Sequence, residues 1–237
     1  DTLETLTREN GAWTLELGSG KKIETQLVVA ADGARPRIRD KVNIQTKPVF
    51  YNQHGLVATI KTEHPHQSTA WQRFLKTGPL AFLPLQDSHL SSIVWSCPPE
   101  EAKRLIELPE VEFNQTLAHA FDNKLGECTL IGDRASFPLY HHHADTYSTE
   151  GLTLIGDAAH SIHPLAGLGA NLGFHDVKCL SNQIKSALDK KRPYYTQTIL
   201  KKFEREARCK NEMTSQMMTA LNALFSNNKS ALSCIRG

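Results

Sequence analysis

The sequence lacks the marks of several protein classes. Its 237 residues include only five cysteines, which are scattered and form no Cys-x-x-Cys pair, and its 27 basic residues nearly balance its 25 acidic ones. No run approaches the roughly 18 apolar residues of a membrane-spanning helix. These absences argue against a disulfide framework, a nucleic-acid-binding protein and a membrane-spanning protein. We therefore expect a soluble chain in a reducing compartment, the cytoplasm.

The residues that are present suit a folded protein of one large or two small domains. The composition, 40% hydrophobic and 22% charged, is ordinary for a globular chain. The sequence begins at Asp1 without a methionine and runs directly into strand-like residues. We therefore expect it to be a piece of a longer protein.

β-Rich runs dominate the first half of the chain. Apolar and polar residues alternate in Trp13–Leu17, which predicts a strand. A second strand is predicted to end at Asp32-Gly33. Further runs, separated by Pro, Gly, Asp and Ser, predict a mostly antiparallel sheet in the middle of the chain. These runs are 55–63, 70–76, 80–86 and 90–97.

Helical patterns follow the sheet. Pro98-Pro99 predicts a helix start, because proline suits the first turn, and a second helix is predicted over 110–123. A strand is then predicted to stop at Asp157, before two helices over 173–188 and 194–225. The apolar positions of the second and the last of these helices are Val111, Phe113, Leu117 and Phe121, and Ile199, Phe203, Ala207, Met217, Leu221, Leu224 and Phe225.

The stretch "LIGDAAHSIHPLAGLGANLGF", residues 154–174, carries the clearest chemistry. A strand that ends in Gly156-Asp157 brings a carboxylate to the edge of a sheet where α/β folds bind ligands. Gly167, Gly169 and Gly173 allow a ligand to approach the backbone closely. A helix starting near Gly169 would offer unpaired N–H groups to an anion or a carbonyl. Glycines at this spacing are also found where a turn only packs tightly, so spacing alone leaves both interpretations open.

The wider pattern resembles the second flavin motif of the aromatic-ring hydroxylases, which are single-component FAD monooxygenases. Leu168 replaces the glutamine of that motif, and Pro36 replaces a serine in the Asp-Gly motif that "ADGARPRIR" resembles. The matching residues are Asp32, Gly33 and Arg39 in the Asp-Gly motif, and Gly156, Asp157, Ala158, Ala159, His160, Pro164, Gly167, Gly169 and Asn171 in the second motif.

The middle of the chain contains "HGLVATIKTEHPH", "LAFLPLQDSHLSSIVWSCPPEEAKRL" and "EFNQTLAHAFDNKLG". Within the family, these stretches are most similar to the ubiquinone-biosynthesis hydroxylases of the UbiH, UbiI and VisC type. The resemblance implies an α/β (α+β) fold: part of a Rossmann-like FAD-binding domain together with an antiparallel β-sheet substrate domain. The implied domains are residues 1–45 and 146–237 for FAD binding and 46–145 for the substrate. The family's N-terminal Gly-x-Gly-x-x-Gly turn, which holds the FAD pyrophosphate, has no counterpart in these 237 residues. We therefore expect it to be missing.

The resemblance also implies the chemistry. FAD would be the cofactor, NAD(P)H and O2 the co-substrates, and a polyprenylated phenol the substrate whose ring gains one oxygen atom. The resemblance leaves open whether the chain also contacts other ubiquinone-biosynthesis proteins, a second copy of itself or the surface of the inner membrane; it implies no nucleic acid and no metal. Asp157 would bind the ribityl chain, Pro164 would lie near the reacting face of the flavin, and Arg39 would support the cofactor. The implied cofactor-binding residues are Asp32, Gly33, Arg39, Gly156, Asp157, Pro164, Gly167, Leu168, Gly169, Ala170 and Asn171. No residue is singled out as a catalytic base.

Other readings remain for some residues and for the protein. The chain could be another FAD-dependent oxidoreductase on the same scaffold, or a non-enzymatic scaffold module of a quinone-biosynthesis complex. His141–His143 could suggest a metal, but we expect a solvated turn, because consecutive histidines cannot all face one ion. We expect His160 to be structural, whereas His163 could face the flavin. Met213, Met217 and Met218 are expected to pack within their helix.

Overall fold

A computed structural model describes residues 1–34, 37–162 and 168–226, with the backbone alone for 221–226. Its internal contacts divide the chain into two units. The first unit is Asp1–Val49 with Tyr140–Thr219, and the second is Phe50–Leu139 with the end of the last helix from Ala220. The domain boundaries drawn after residues 45 and 145 stay a prediction, because a division by contacts does not show which part folds on its own.

The first unit begins with an antiparallel meander. Its strands are β1 (Leu3–Glu9), β2 (Ala12–Leu17) and β3 (Lys22–Thr25). Asn10 and Gly11 join the first two strands, and both have positive φ angles, of 52° and 84°. Such angles match the tight hairpin turns that Asn-Gly favours, so the local sequence sets this register.

A second, small sheet follows in the order β10 (Ser148–Thr149), β11 (Leu152–Leu154) and β4 (Val28–Ala30). β4 and β11 are parallel, with Leu154 opposite Ala30. The prediction of one strand running to Asp32-Gly33 is therefore wrong. Two strands, β3 and β4, belong to different sheets, and the Thr25 hydroxyl accepts a hydrogen bond from the Leu27 N–H at the break.

Helices complete the first unit. They are α1 (Arg37–Lys41), α4 (Gly169–Asp189) and α5 (Gln197–Ser226), and α4 begins one turn earlier than the predicted Gly173. Buried Tyr147, Leu152, Leu154, Leu180 and Phe203 belong to a core that joins the small sheet to α4 and α5.

The second unit contains the predicted antiparallel sheet, which confirms the mixed α/β fold class. Its strands are β5 (Val49–Thr62), β6 (Trp71–Leu75), β7 (Gly78–Pro84), β8 (Leu90–Cys97) and β9 (Cys128–His143). They lie in the order β9-β5-β8-β7-β6. Helices α2 (Pro99–Glu107) and α3 (Glu110–Ala120) pack on one face, and Pro99 stands in the first turn of α2 as predicted. The last residues of β9, which belong to the first unit, pair with the short β12 (His160–Ser161) of the same unit.

Three positions that were predicted to pack are exposed. Val111 is 67% exposed, Met213 is 63% exposed and Met217 is 53% exposed, whereas Met218, the next residue along the helix, is only 2% exposed. One residue turns a helix by about 100°, so periodicity was wrong by one position in the second half of α5, although it correctly predicted the buried positions of the first half. The side chains of Leu221, Leu224 and Phe225 lie outside the described residues.

None of the helices in the described part of the chain is both long enough and apolar enough to cross a bilayer.

Candidate functional site: a glycine-lined cradle at a parallel strand edge

Two motifs that are far apart in sequence meet at one edge of the small sheet. Because β4 and β11 are parallel, their carboxyl ends lie side by side, and the Ile155 N–H donates to the Ala30 carbonyl at 3.0 Å. Gly33 therefore comes next to Gly156 and Asp157 at the edge where α/β sheets bind ligands. The prediction that β11 runs to Asp157 is wrong, because the strand ends at Leu154 and residues Gly156–Ala158 form a 3-10 turn.

This edge forms a pocket with a volume of about 380 Å³, which we call the cradle. Gly33 and Gly169 border open space, since a Cβ added at either would meet no atom within 4 Å. Gly156 and Gly173 act differently: a Cβ on Gly173 would lie 3.5 Å from the Gly156 Cα, so the turn sits directly on α4. The cradle is lined by Ala31, Gly33, Ile155, Gly156, Asp157, Gly169, Ala170, Gly173, Phe174 and Val177.

Asp157 presents its carboxylate at this surface. The residue is exposed, and its side chain makes no hydrogen bond or ion pair with any residue that the structure describes. A carboxylate held on a well-defined turn without a protein partner is available to accept hydrogen bonds from a ligand. This is the geometry that the sequence predicted for a group binding sugar-like hydroxyls.

Asp32 and Arg39 lie near this edge but have partners within the protein. The Asp32 Oδ2 accepts a hydrogen bond from the Ile38 N–H at 3.0 Å, which satisfies a donor in the first turn of α1. The Arg39 side chain is 11% exposed and donates from Nη1 to the Ala158 carbonyl at 3.3 Å. Both residues therefore support the backbone around the cradle, and direct contact with a cofactor stays a prediction for each.

The start of α4 forms one wall of the cradle. Gly169 and Ala170 line it, Asn171 is exposed beside them, and the first N–H groups of a helix have no partner within the helix. Leu168, which stands where the family motif has glutamine, contacts a small apolar cluster of Ile162, Leu172 and Met218. Leu168 therefore has an apolar packing role at this position. The predicted residues Pro164 and Gly167, and His163, lie outside the described residues.

A buried carboxylate on α4 supports this site from inside the protein. It was not predicted from the sequence. Asp176 is fully buried and accepts hydrogen bonds from the Gly156 N–H at 2.9 Å, His160 Nε2 at 2.6 Å and Asn211 Nδ2 at 3.0 Å. The prediction of a structural His160 agrees with these contacts. A sequence signal was available, because Asp176 stands four residues after buried Leu172 on the apolar face of the helix.

The histidine run does not form the solvated turn that was predicted. His141–His143 end the strand β9, and His142 is only 2% exposed, with Nε2 3.1 Å from the Asp157 carbonyl oxygen. Burial lowers the pKa of His142, and the nearby Arg39 charge adds to this effect. In the described part of the chain, no group of three or more His, Cys, Asp or Glu side chains is placed to hold a metal ion.

Comparisons with known proteins point to flavin binding. The FAD binding domain family matches residues 7–215. The chain is 34% identical to the Caenorhabditis elegans ubiquinone biosynthesis monooxygenase COQ6, mitochondrial, over 94% of this chain and 57% of that protein. It is also 34% identical to the Escherichia coli 3-demethoxyubiquinol 3-hydroxylase, over 99% of this chain and 60% of that protein.

A solved structure shows the same fold. Pseudomonas aeruginosa PqsL in complex with 2-aminobenzoylacetate superposes with a TM-score of 0.82 at 21% identity, covering 100% of this chain and 66% of that one. The chain spans little more than half of the length of the Caenorhabditis elegans and Escherichia coli relatives. The family match extends over most of these 237 residues and includes both motifs of the cradle. The predicted family and its cofactor, FAD, are confirmed: the chain belongs to the FAD binding domain family.

Proposed function

We propose that the full-length protein is an FAD-dependent monooxygenase that hydroxylates the ring of a polyprenylated phenol in ubiquinone biosynthesis, with NAD(P)H and O2 as co-substrates. The observation that carries this proposal is the Asp157 carboxylate, which has no partner among the described residues and stands at the glycine-lined cradle. One of the two curated relatives is named a ubiquinone biosynthesis monooxygenase and the other a 3-demethoxyubiquinol 3-hydroxylase, which supports this reaction and substrate class.

The residues of the cradle fit an FAD molecule. Asp157 accepts hydrogen bonds, which suits the hydroxyl groups of the ribityl chain. The N–H groups at the start of α4, from Gly169 to Asn171, suit the electron-rich pyrimidine edge of the flavin ring. Open space at Gly33 and Gly169 allows the cofactor to lie against the backbone. When bound, FAD supplies the electron transfer and the activation of oxygen. The protein's part is to hold the flavin, orient the substrate and exclude water.

The sheet of the second unit offers an apolar surface that suits a prenylated aromatic substrate. Leu56, Ala58 and Ile60 of β5 point into the core beneath α2 and α3. The alternate residues face the other side of the sheet, where Val57 lies opposite Val94. Val94 in turn lies opposite Ala81 of β7, which makes a continuous apolar row across three strands. This row supports the proposal of a lipid-like substrate rather than a small, charged phenol.

A gene deletion combined with complementation tests the proposed function. Cells without the gene should accumulate a quinone precursor that lacks one ring hydroxyl, and the full-length wild-type gene should restore ubiquinone. The Asp157→Ala variant should fail to restore it, whereas Asp189→Ala, which removes an exposed carboxylate at the end of α4, should succeed.

Two outcomes would overturn the proposal. Normal ubiquinone in the deletion strain, with no paralogue covering the step, would remove the substrate class. Full rescue by Asp157→Ala protein that carries no flavin would favour a non-enzymatic scaffold module instead.

A further inference from the structure

Side chains from three different elements hold the three residues of the Gly-Asp turn, and two of these side chains, Asp176 and His142, are buried. Asp176 of α4 accepts a hydrogen bond from the Gly156 N–H. His142 of β9 lies 3.1 Å from the Asp157 carbonyl oxygen, and Arg39 of α1 donates to the Ala158 carbonyl at 3.3 Å. Every residue of the turn therefore has a backbone polar group fixed from inside the protein.

Asp176 is the most heavily committed of these side chains. It is 0% exposed, and its two oxygens accept three hydrogen bonds, from Gly156, His160 and Asn211. Burying a carboxylate is costly unless donors of this kind surround it. Asn211 is itself 0% exposed and belongs to α5, so the same carboxylate connects the turn to both long helices.

His142 fixes the peptide group between Asp157 and Ala158. Its ring is 2% exposed, and Ser161 Oγ lies 2.9 Å from Nδ1, on the far side of the ring from the Asp157 carbonyl. A hydroxyl that donates to Nδ1 leaves the proton on Nε2, where it points at the carbonyl oxygen. The ring therefore acts as a neutral donor held in one orientation.

Nothing else in the described structure holds the Asp157 side chain. Its carboxylate has no partner there, so its direction is set by the backbone of the turn. Gly156 has a φ of 58°, and its Cα lies close to α4 at Gly173. The Gly156 N–H held by Asp176 precedes the Gly156 Cα, and the Asp157 carbonyl held by His142 follows the Asp157 Cα, so the two contacts lie on either side of the Gly156–Asp157 peptide group.

We propose that Asp176 and His142 are positioning residues, which fix the turn so that the Asp157 carboxylate is directed at a sugar-alcohol hydroxyl of the bound cofactor. This inference rests on the proposed function, since the hydroxyl is that of the ribityl chain of FAD. Asp176 and His142 thereby increase the affinity for the cofactor, and they do so only by orienting Asp157.

A double-mutant cycle on the full-length protein tests this role. FAD affinity is measured by titration of the apoprotein for the wild type, Asp157→Ala, Asp176→Asn and the double variant. Asp157→Ala should weaken binding by about tenfold to a hundredfold and Asp176→Asn by about tenfold. In the double variant the affinity should equal that of Asp157→Ala alone, because a positioning residue has no effect once the group it positions is gone. Asp189→Asn on the same helix is the matched control and should bind as the wild type.

The outcomes separate the inference from the proposed function. If the two losses multiply in the double variant, Asp176 acts independently of Asp157 and the inference fails while the FAD site stands. If Asp157→Ala binds FAD as the wild type does, the assignment of that carboxylate fails and the positioning role fails with it.

A second pair of variants covers the case in which Asp176→Asn does not fold. His142→Gln keeps an N–H donor near the position of Nε2 and should retain most of the affinity. His142→Met removes the donor and should weaken binding, but only when Asp157 is present. Equal affinities for the two His142 variants would overturn the role of His142.

Discussion

Gly156 and Gly169 stand in the same motif, yet their surroundings differ. Gly156 has a positive φ of 58°, where side chains are strained, while an added Cβ at Gly169 would meet nothing within 4 Å. The backbone conformation therefore requires glycine at position 156, whereas glycine at position 169 only leaves space for a ligand in the cradle. The two glycines have different roles.

Alanine substitutions should separate these two needs. Gly156→Ala should destabilise the protein by about 1–2 kcal/mol through backbone strain. Gly169→Ala should leave the melting temperature unchanged or slightly raised, because alanine favours helix. It should nevertheless weaken FAD binding several-fold, since the new methyl group occupies ligand space. Thermal melts and FAD titrations of the full-length variants check both expectations. Unchanged FAD affinity in Gly169→Ala would show that the cofactor does not approach this residue.

Strand β9 ends in a histidine that makes the fold sensitive to acid. Burial lowers the pKa of His143 to about 4 from its ordinary 6.5, with further lowering by the charges of His160, Arg208 and His141 and an opposing effect of Glu212. The unfolded chain takes up the proton near pH 6.5, whereas the folded chain resists until about pH 4. The contribution to stability is therefore complete above pH 6.5 and is lost as the pH falls towards 4.

The folded protein should therefore be measurably less stable in mild acid. Between about pH 7.5 and about pH 5, His143 should account for about 1–2 kcal/mol of lost stability, after allowance for solvent screening. His143→Gln removes the titrating group, so its melting temperature should fall less than that of the wild type over this range. His119→Gln, at an exposed histidine on α3, should fall as the wild type does. Identical pH dependence in all three proteins would contradict the assignment to His143.

Whether a feature of these elements can be predicted from the sequence depends on how far apart in the chain its contacting residues lie. The strand, the Gly-Asp pair and the glycine-rich helix start are local patterns, and the prediction found them to within about one turn. The partners of Asp176 could not be found in this way, because Asn211 lies 35 residues away on another helix. The burial of His142 likewise depends on where a long strand passes, which no local pattern shows.

At the scale of the whole molecule, each of the two units supplies a different part of the proposed activity. The first unit holds the cradle with Asp157, and the second holds the apolar row of Val57, Val94 and Ala81. The family match shows an FAD-binding domain, and the activity on a prenylated ring is the part of the function that is proposed.

The most direct measurement of that claim follows the oxygen atom. The full-length protein is incubated with FAD, NAD(P)H and a polyprenylated phenol under heavy-isotope O2, and the product is analysed by mass spectrometry. We expect a ring-hydroxylated product that carries one heavy oxygen atom, formed by the wild type and not by Asp157→Ala. A product without the label, or NAD(P)H oxidation that leaves the phenol unchanged, would contradict it.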